Sequence, residues 1–372
     1  MAESARKPTQ PGFSMIDGLR GWGALLVLVG HSATFLGGES PKAGTIFVDL
    51  FFMISGFVIA YACEPKFASG LKAYQFIIFR TIRLYPLYLL GILLGFVVAV
   101  VASLDDIDSV GSLMEVGRQF GWSLFMLPTP MTEPPGGLYP LNGPAWSLFF
   151  ELVVNIFYAL TWRWLTTRVV IGIIIISAIA LGLSSAMLGG VFAGVYWEGW
   201  WGGFARSFFG FFAGVLIFRA AGAPTEPGTR RSYGVVFLFL LLPAILMIRV
   251  PPQWFVYYQL FLLLALGMPL LQLAQAFQAP RLLERLFVFG GQISYALYVI
   301  HQPFLDAMIR LSWKWPELTR APWAGLIFCA TMIVLAYFAE RWFDRPMRRW
   351  IVGLIVGGKK GRASRGRAAA AA

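Results

Sequence analysis

A 372-residue chain that is 58% hydrophobic, only 13% charged and of mean hydropathy +0.70 excludes a soluble globular fold. Soluble domains carry about 25% charged residues. The formal net charge of +12 calls for no nucleic-acid partner, because the cations gather between long apolar blocks and read as a membrane topology signal. Two histidines and two separated cysteines argue against a zinc centre, and no metal site is expected.

Ten apolar blocks follow in chain order, at 15–35, 45–62, 82–103, 145–165, 169–188, 203–219, 235–249, 254–276, 288–308 and 322–343. Each approaches the roughly 20 residues that a bilayer-crossing helix needs. A shorter piece at 120–127 is too short to cross and is predicted to be interfacial or re-entrant. The expectation is an all-α integral membrane protein of about ten transmembrane helices. It divides into an N-terminal tail at 1–14, a membrane domain at 15–343 and a basic tail at 344–372 that is disordered at its end.

Ten crossings place both termini on one side. The loops on that side hold Arg20, Lys66, Lys72, Arg80, Arg83, Arg163, Arg219 and Arg231, among other cations. The opposite side holds few cations, Arg118 and Arg206 among them. Its largest loop, 104–143, carries Asp105, Asp106, Asp108, Glu115 and Glu133. The positive-inside rule therefore predicts cytoplasmic termini. No cleavable signal peptide, internal repeat or disulfide between Cys63 and Cys329 is expected.

Ionisable residues inside a span cost about 2.5–3.5 kcal/mol each and tend to mark a site. Four stand out: His31, Asp49, Glu151 and His301. Following each span from its end places all four in the outer half of the membrane. Bland alternatives exist for each, for Glu151 a structural role alone. Asp49 can cap a helix, either histidine can bond a neighbouring helix, and His301 can satisfy a carbonyl freed by Pro303. On the cytoplasmic side, Arg20 shares a helical face with His31, about 16 Å away. Asp17 can pair with Arg20, and Arg80 and Arg83 are one turn apart. Guanidinium groups so spaced suit a phosphate or pyrophosphate, or are ordinary topology cations. Trp197, Trp200 and Trp201 read as an interfacial belt ahead of a sugar platform.

The stretch Ile16-Asp-Gly-Leu-Arg20, ten further residues and His31 resembles the opening motif of the membrane acyltransferase family 3. The likeness continues in Val48-Asp-Leu-Phe-Phe-Met-Ile-Ser-Gly-Phe57, Arg80-Thr-Ile-Arg83-Leu-Tyr-Pro86, Trp146-Ser-Leu-Phe-Phe-Glu151 and Ser294-Tyr-Ala-Leu-Tyr-Val-Ile-His301-Gln-Pro303. The family implies transfer of an acyl group, commonly acetyl, from cytoplasmic acyl-CoA to a hydroxyl of a carbohydrate or glycolipid, in a bacterial inner membrane. No bound cofactor is implied, and a fused hydrolase-like domain is not expected here.

On that resemblance Arg20, Arg80 and Arg83 bind the donor, and His31 is the general base or an acyl carrier. Glu151 or Asp49 orients its ring. Ser55, Trp146, Ser147, Tyr295, Tyr298 and His301 serve the acceptor or the structure. The competing class is a transporter or flippase of a polysaccharide or lipid-linked sugar, which also needs buried charges along a path.

Overall fold

The computed structural model describes residues 13–38, 46–104, 112–130, 136–188, 193–222, 230–248, 250–251 and 254–355. Most of the expected N-terminal tail, the end of the basic tail, and Asp105, Asp106, Asp108 and Glu133 lie outside the described residues. Among those described the regular structure is helical, with two isolated β-bridges and no strand.

In chain order the helices are α1 (Ser14–His31), α2 (Ala33–Leu36), α3 (Ile46–Ala68), α4 (Ala73–Leu104), α5 (Leu113–Leu124), α6 (Ala145–Thr161) and α7 (Thr167–Leu188). They continue with α8 (Gly202–Ala220), α9 (Tyr233–Leu246), α10 (Phe255–Leu262), α11 (Met268–Ala276), α12 (Arg281–Lys314) and α13 (Trp323–Phe338). One π-helical turn, Leu263–Gly267, joins α10 to α11, and another, Ala339–Asp344, prolongs α13. Helix therefore stands at every predicted apolar block.

Seven helical stretches among the described residues are long and apolar enough to cross a membrane, which makes this a membrane protein. Three predicted spans fall outside that set. α9 has only 14 residues. α1 is diluted by Asp17, Arg20 and His31, and α12 by Gln292, Ser294, His301 and Gln302. Polar residues thus concentrate on the two helices that carry the histidines.

Some predicted boundaries need correction. α4 begins nine residues before the block at 82–103, so Arg80 and Arg83 sit inside the helix rather than at its head. The basic segment from 344 stays helical to Ile355. The piece expected at 120–127 is the end of α5 and the turn after it; the start of α5 is capped by the Ser112 hydroxyl, which accepts from Glu115 N at 3.3 Å. α5 buries Val116, Gln119 and Ser123 on one face and exposes Met114 and Trp122. Its 12 residues span about 18 Å, too little to cross.

Prolines inside helices remove a backbone donor and free the carbonyl four residues earlier. The Phe239 carbonyl freed by Pro243 accepts Trp22 Nε1 at 2.7 Å. The Val299 carbonyl freed by Pro303 accepts Asn142 Nδ2 at 2.9 Å. Asn142 therefore does what the structural reading of His301 assigned to that histidine.

Two close helix pairs position the site, and both are parallel. A Cβ on Gly21 of α1 would lie 2.7 Å from the Gly290 backbone of α12, and one on Gly18 would strike Phe287. The same parallel packing, ten residues further along α1 and eleven along α12, brings His31 to the level of His301. In the second pair, a Cβ on Gly214 of α8 would lie 1.9 Å from the Met53 carbonyl of α3, and one on Gly56 equally close to that of Phe211. Gly210 and Gly214 form the small-x-x-x-small pattern that lets membrane helices touch through their backbones.

Candidate active site

At one end of the α1–α12 contact the two imidazoles meet. His31 Nδ1 lies 2.8 Å from His301 Nε2, with the rings near-parallel at 15° and their centroids 5.1 Å apart. His301 is fully buried, whereas His31 is exposed. The other ring nitrogen of His301 is 3.0 Å from the Leu297 carbonyl oxygen. One turn before His301, the Tyr298 ring lies 6.2 Å away, and its hydroxyl is 2.8 Å from that of Ser147 at the start of α6.

Tyr298 and Ser147 also line a cavity of about 190 Å³. From there the cavity runs between α3, α4, α6 and α12 to Arg20, Arg80 and Arg83. Three guanidinium groups face a single carboxylate, Glu151, in its lining. Arg80 Nη2 donates to Glu151 Oε1 at 2.5 Å, and the Ser55 hydroxyl donates to the same oxygen at 2.9 Å. Arg20 and Arg83 have looser ion pairs, 3.8 Å to Asp17 and 3.5 Å to Asp344. The Arg83 guanidinium also sits 5.4 Å over the Tyr295 ring, and Tyr295 donates to the Leu84 carbonyl at 2.6 Å.

Asp344 is fully buried and also binds Arg348 at 2.7 Å; Glu340, one turn earlier, takes Arg345 and Arg348. Neither acid was among the expected site residues. Their four-residue spacing inside a run of arginines was the available signal.

Neither carboxylate expected to orient His31 has a bond to it among the described residues. Glu151 is engaged by Arg80 and Ser55. Asp49 makes a bidentate pair with Arg206 of α8, at 2.8 and 2.9 Å, with both residues buried. Arg206, counted with the outer loops from its position in sequence, is instead a wholly buried helix residue. Its guanidinium also lies 4.8 Å over the Trp146 ring. Trp197 Nε1 donates to the Thr129 carbonyl at 2.8 Å, tying two loops together, while Trp200 and Trp201 are exposed. Among the described residues no three of His, Cys, Asp and Glu gather as metal ligands.

Most of the motif-bearing residues thus collect around one cavity and the histidine pair beside it, while Asp49 and Trp146 meet at Arg206, and the comparisons agree with that pattern. A family model described as an acyltransferase domain, that of acyltransferase family 3, matches residues 13–341. "Protein 2 in picA locus" from Rhizobium radiobacter is 35% identical over 185 residues, covering 47% of this chain and 95% of that protein. No solved structure matches. Matched over most of its length, the chain belongs to acyltransferase family 3 and is an acyltransferase of groups other than amino-acyl groups.

Proposed function

We propose that this chain crosses a bacterial inner membrane ten times with both termini in the cytoplasm. It moves an acyl group, acetyl in the simplest case, from cytoplasmic acyl-CoA to a hydroxyl of an extracytoplasmic or lipid-linked carbohydrate. The observation that carries this reading is the cavity, with three guanidinium groups around one carboxylate at one end and Tyr298 at the other, next to the histidine pair. An excess of fixed positive charge suits the phosphates of a CoA ester. Arg20 and Arg83 hold loose ion pairs that a phosphate can displace, whereas Arg80 is engaged by Glu151.

On α1 the distance from Arg20 to His31 is about 16 Å, a length that an extended pantetheine arm covers. At the far end the His31 imidazole acts as general base. It takes the hydroxyl proton as the acceptor oxygen bonds to the thioester carbonyl carbon. The carbon–sulfur bond then breaks, and the proton passes from His31 to the departing thiolate, leaving CoA thiol and an ester. Tyr298, hydrogen-bonded to Ser147, is placed to hold the acceptor or the developing oxyanion.

The test is acyl-CoA-dependent acylation of extracted surface glycans by the protein in lipid nanodiscs. His31→Ala is expected to lose about 10²–10⁴-fold in kcat. Arg83→Ala is expected to raise KM for acyl-CoA about tenfold, the loss of one charge-assisted contact. Normal transfer by the histidine variant would sink the assignment.

A further inference from the structure

The contact between the two imidazoles has a direction that simple chemistry decides. His301 Nδ1 is 3.0 Å from the Leu297 carbonyl oxygen. A carbonyl only accepts, so Nδ1 of His301 carries a proton. A second proton on that ring would be a positive charge at a fully buried site, and among the described residues no carboxylate bonds either imidazole. His301 Nε2 therefore presents a lone pair. The atom facing it at 2.8 Å, His31 Nδ1, must be the donor.

We infer that His301 is a positioning residue that holds His31 in its Nδ1–H tautomer and so places the basic lone pair on His31 Nε2. This rests on the reading of His31 as the general base. In the serine-protease arrangement an aspartate fixes the tautomer of the catalytic histidine. Here a neutral histidine, itself fixed by the Leu297 carbonyl, occupies that place. The relay runs from the Leu297 oxygen through Nδ1–H and Nε2 of His301 to Nδ1–H of His31. Among the described residues nothing bonds His31 Nε2, and His31 is the exposed member of the pair. When Nε2 takes the acceptor's proton, the bond to His301 becomes charge-assisted and shortens.

A neutral relay also suits the location. A carboxylate at this depth would add a second buried charge, whereas two imidazoles and a peptide carbonyl carry none in the resting state. Parallel packing of α1 and α12 through Gly21 and Gly290 holds the two rings in register.

The chain has only two histidines, so ¹⁵N-histidine labelling yields a spectrum of four ring nitrogens. In the intact protein in nanodiscs, both residues are expected to show a protonated Nδ1 and a lone-pair Nε2, the tautomer that free histidine disfavours. In His301→Leu the His31 proton moves to Nε2, and kcat falls about a hundredfold or more with KM for acyl-CoA unchanged. In His301→Gln the amide oxygen reaches the place of Nε2, restoring the Nδ1–H form and most of the rate.

A wild-type spectrum with the His31 proton on Nε2 overturns the inference without recourse to any variant. So does a His301→Leu protein of unchanged kcat, or a His301→Gln protein no better than His301→Leu. If the wild type shows the expected spectrum but His31→Gln transfers at an undiminished rate, the base reading alone is overturned.

Discussion

At the scale of single residues, the sequence marks which side chains a membrane would reject but not which of them pair. His31, Asp49, Glu151 and His301 all stand out as ionisable groups in apolar blocks. Their partners lie up to 270 positions away and depend on which face each helix turns inward. Arg206 shows the difficulty. From its place near the head of an apolar block it reads as a loop cation, yet it is buried against Asp49. Removing one member of such a pair leaves an uncompensated charge and costs about 3–5 kcal/mol, whereas replacing both by apolar residues is often neutral. Arg206→Met is therefore expected to lower the thermal unfolding midpoint of the detergent-purified protein sharply. The double variant Asp49→Leu/Arg206→Met should recover most of that loss. A single variant as stable as the parent would remove the structural role assigned to this pair.

At the scale of elements, apolar blocks locate helices well and their ends poorly. A helix continues through charged and aromatic residues beyond the apolar run, as α4 does from Ala73 and α12 does to Lys314. The common level of His31 and His301 is legible by counting residues along two spans that run the same way. Their contact is not, because it depends on backbone approach at Gly21 and Gly290. A Cβ at Gly21 meets backbone rather than a flexible side-chain tip, so α1 and α12 must part. Forced overpacking costs about 1–3 kcal/mol, and the separation also stretches the imidazole contact. Gly21→Ala should therefore reduce acyl transfer more than tenfold, roughly the rate equivalent of that cost, in protein that still elutes as a single folded species. Gly117→Ala on α5, where a Cβ meets nothing within 4 Å, should leave transfer unchanged. Equal activity of the two variants would mean that helix approach does not set the site.

At the scale of the whole molecule, the distribution of charge decides which way the cavity faces. The arginine end lies beside a dense ionic network of Arg83, Glu340, Asp344, Arg345 and Arg348. The histidine end lies towards the loops that hold α5 and Trp197. Cations concentrate on the first side because they resist transfer across the membrane, so that side is expected to be cytoplasmic. Single cysteines test this directly in a Cys63→Ser/Cys329→Ser background, which removes both native thiols. Ser69→Cys and Arg230→Cys, both exposed, should react with a membrane-impermeant maleimide only after sealed spheroplasts are opened. Gly117→Cys and Glu317→Cys, also exposed, should react before. Labelling of Ser69→Cys from outside would invert the molecule. The arginine end of the cavity would then face away from cytoplasmic acyl-CoA, and the transferase mechanism would need a donor from the other side.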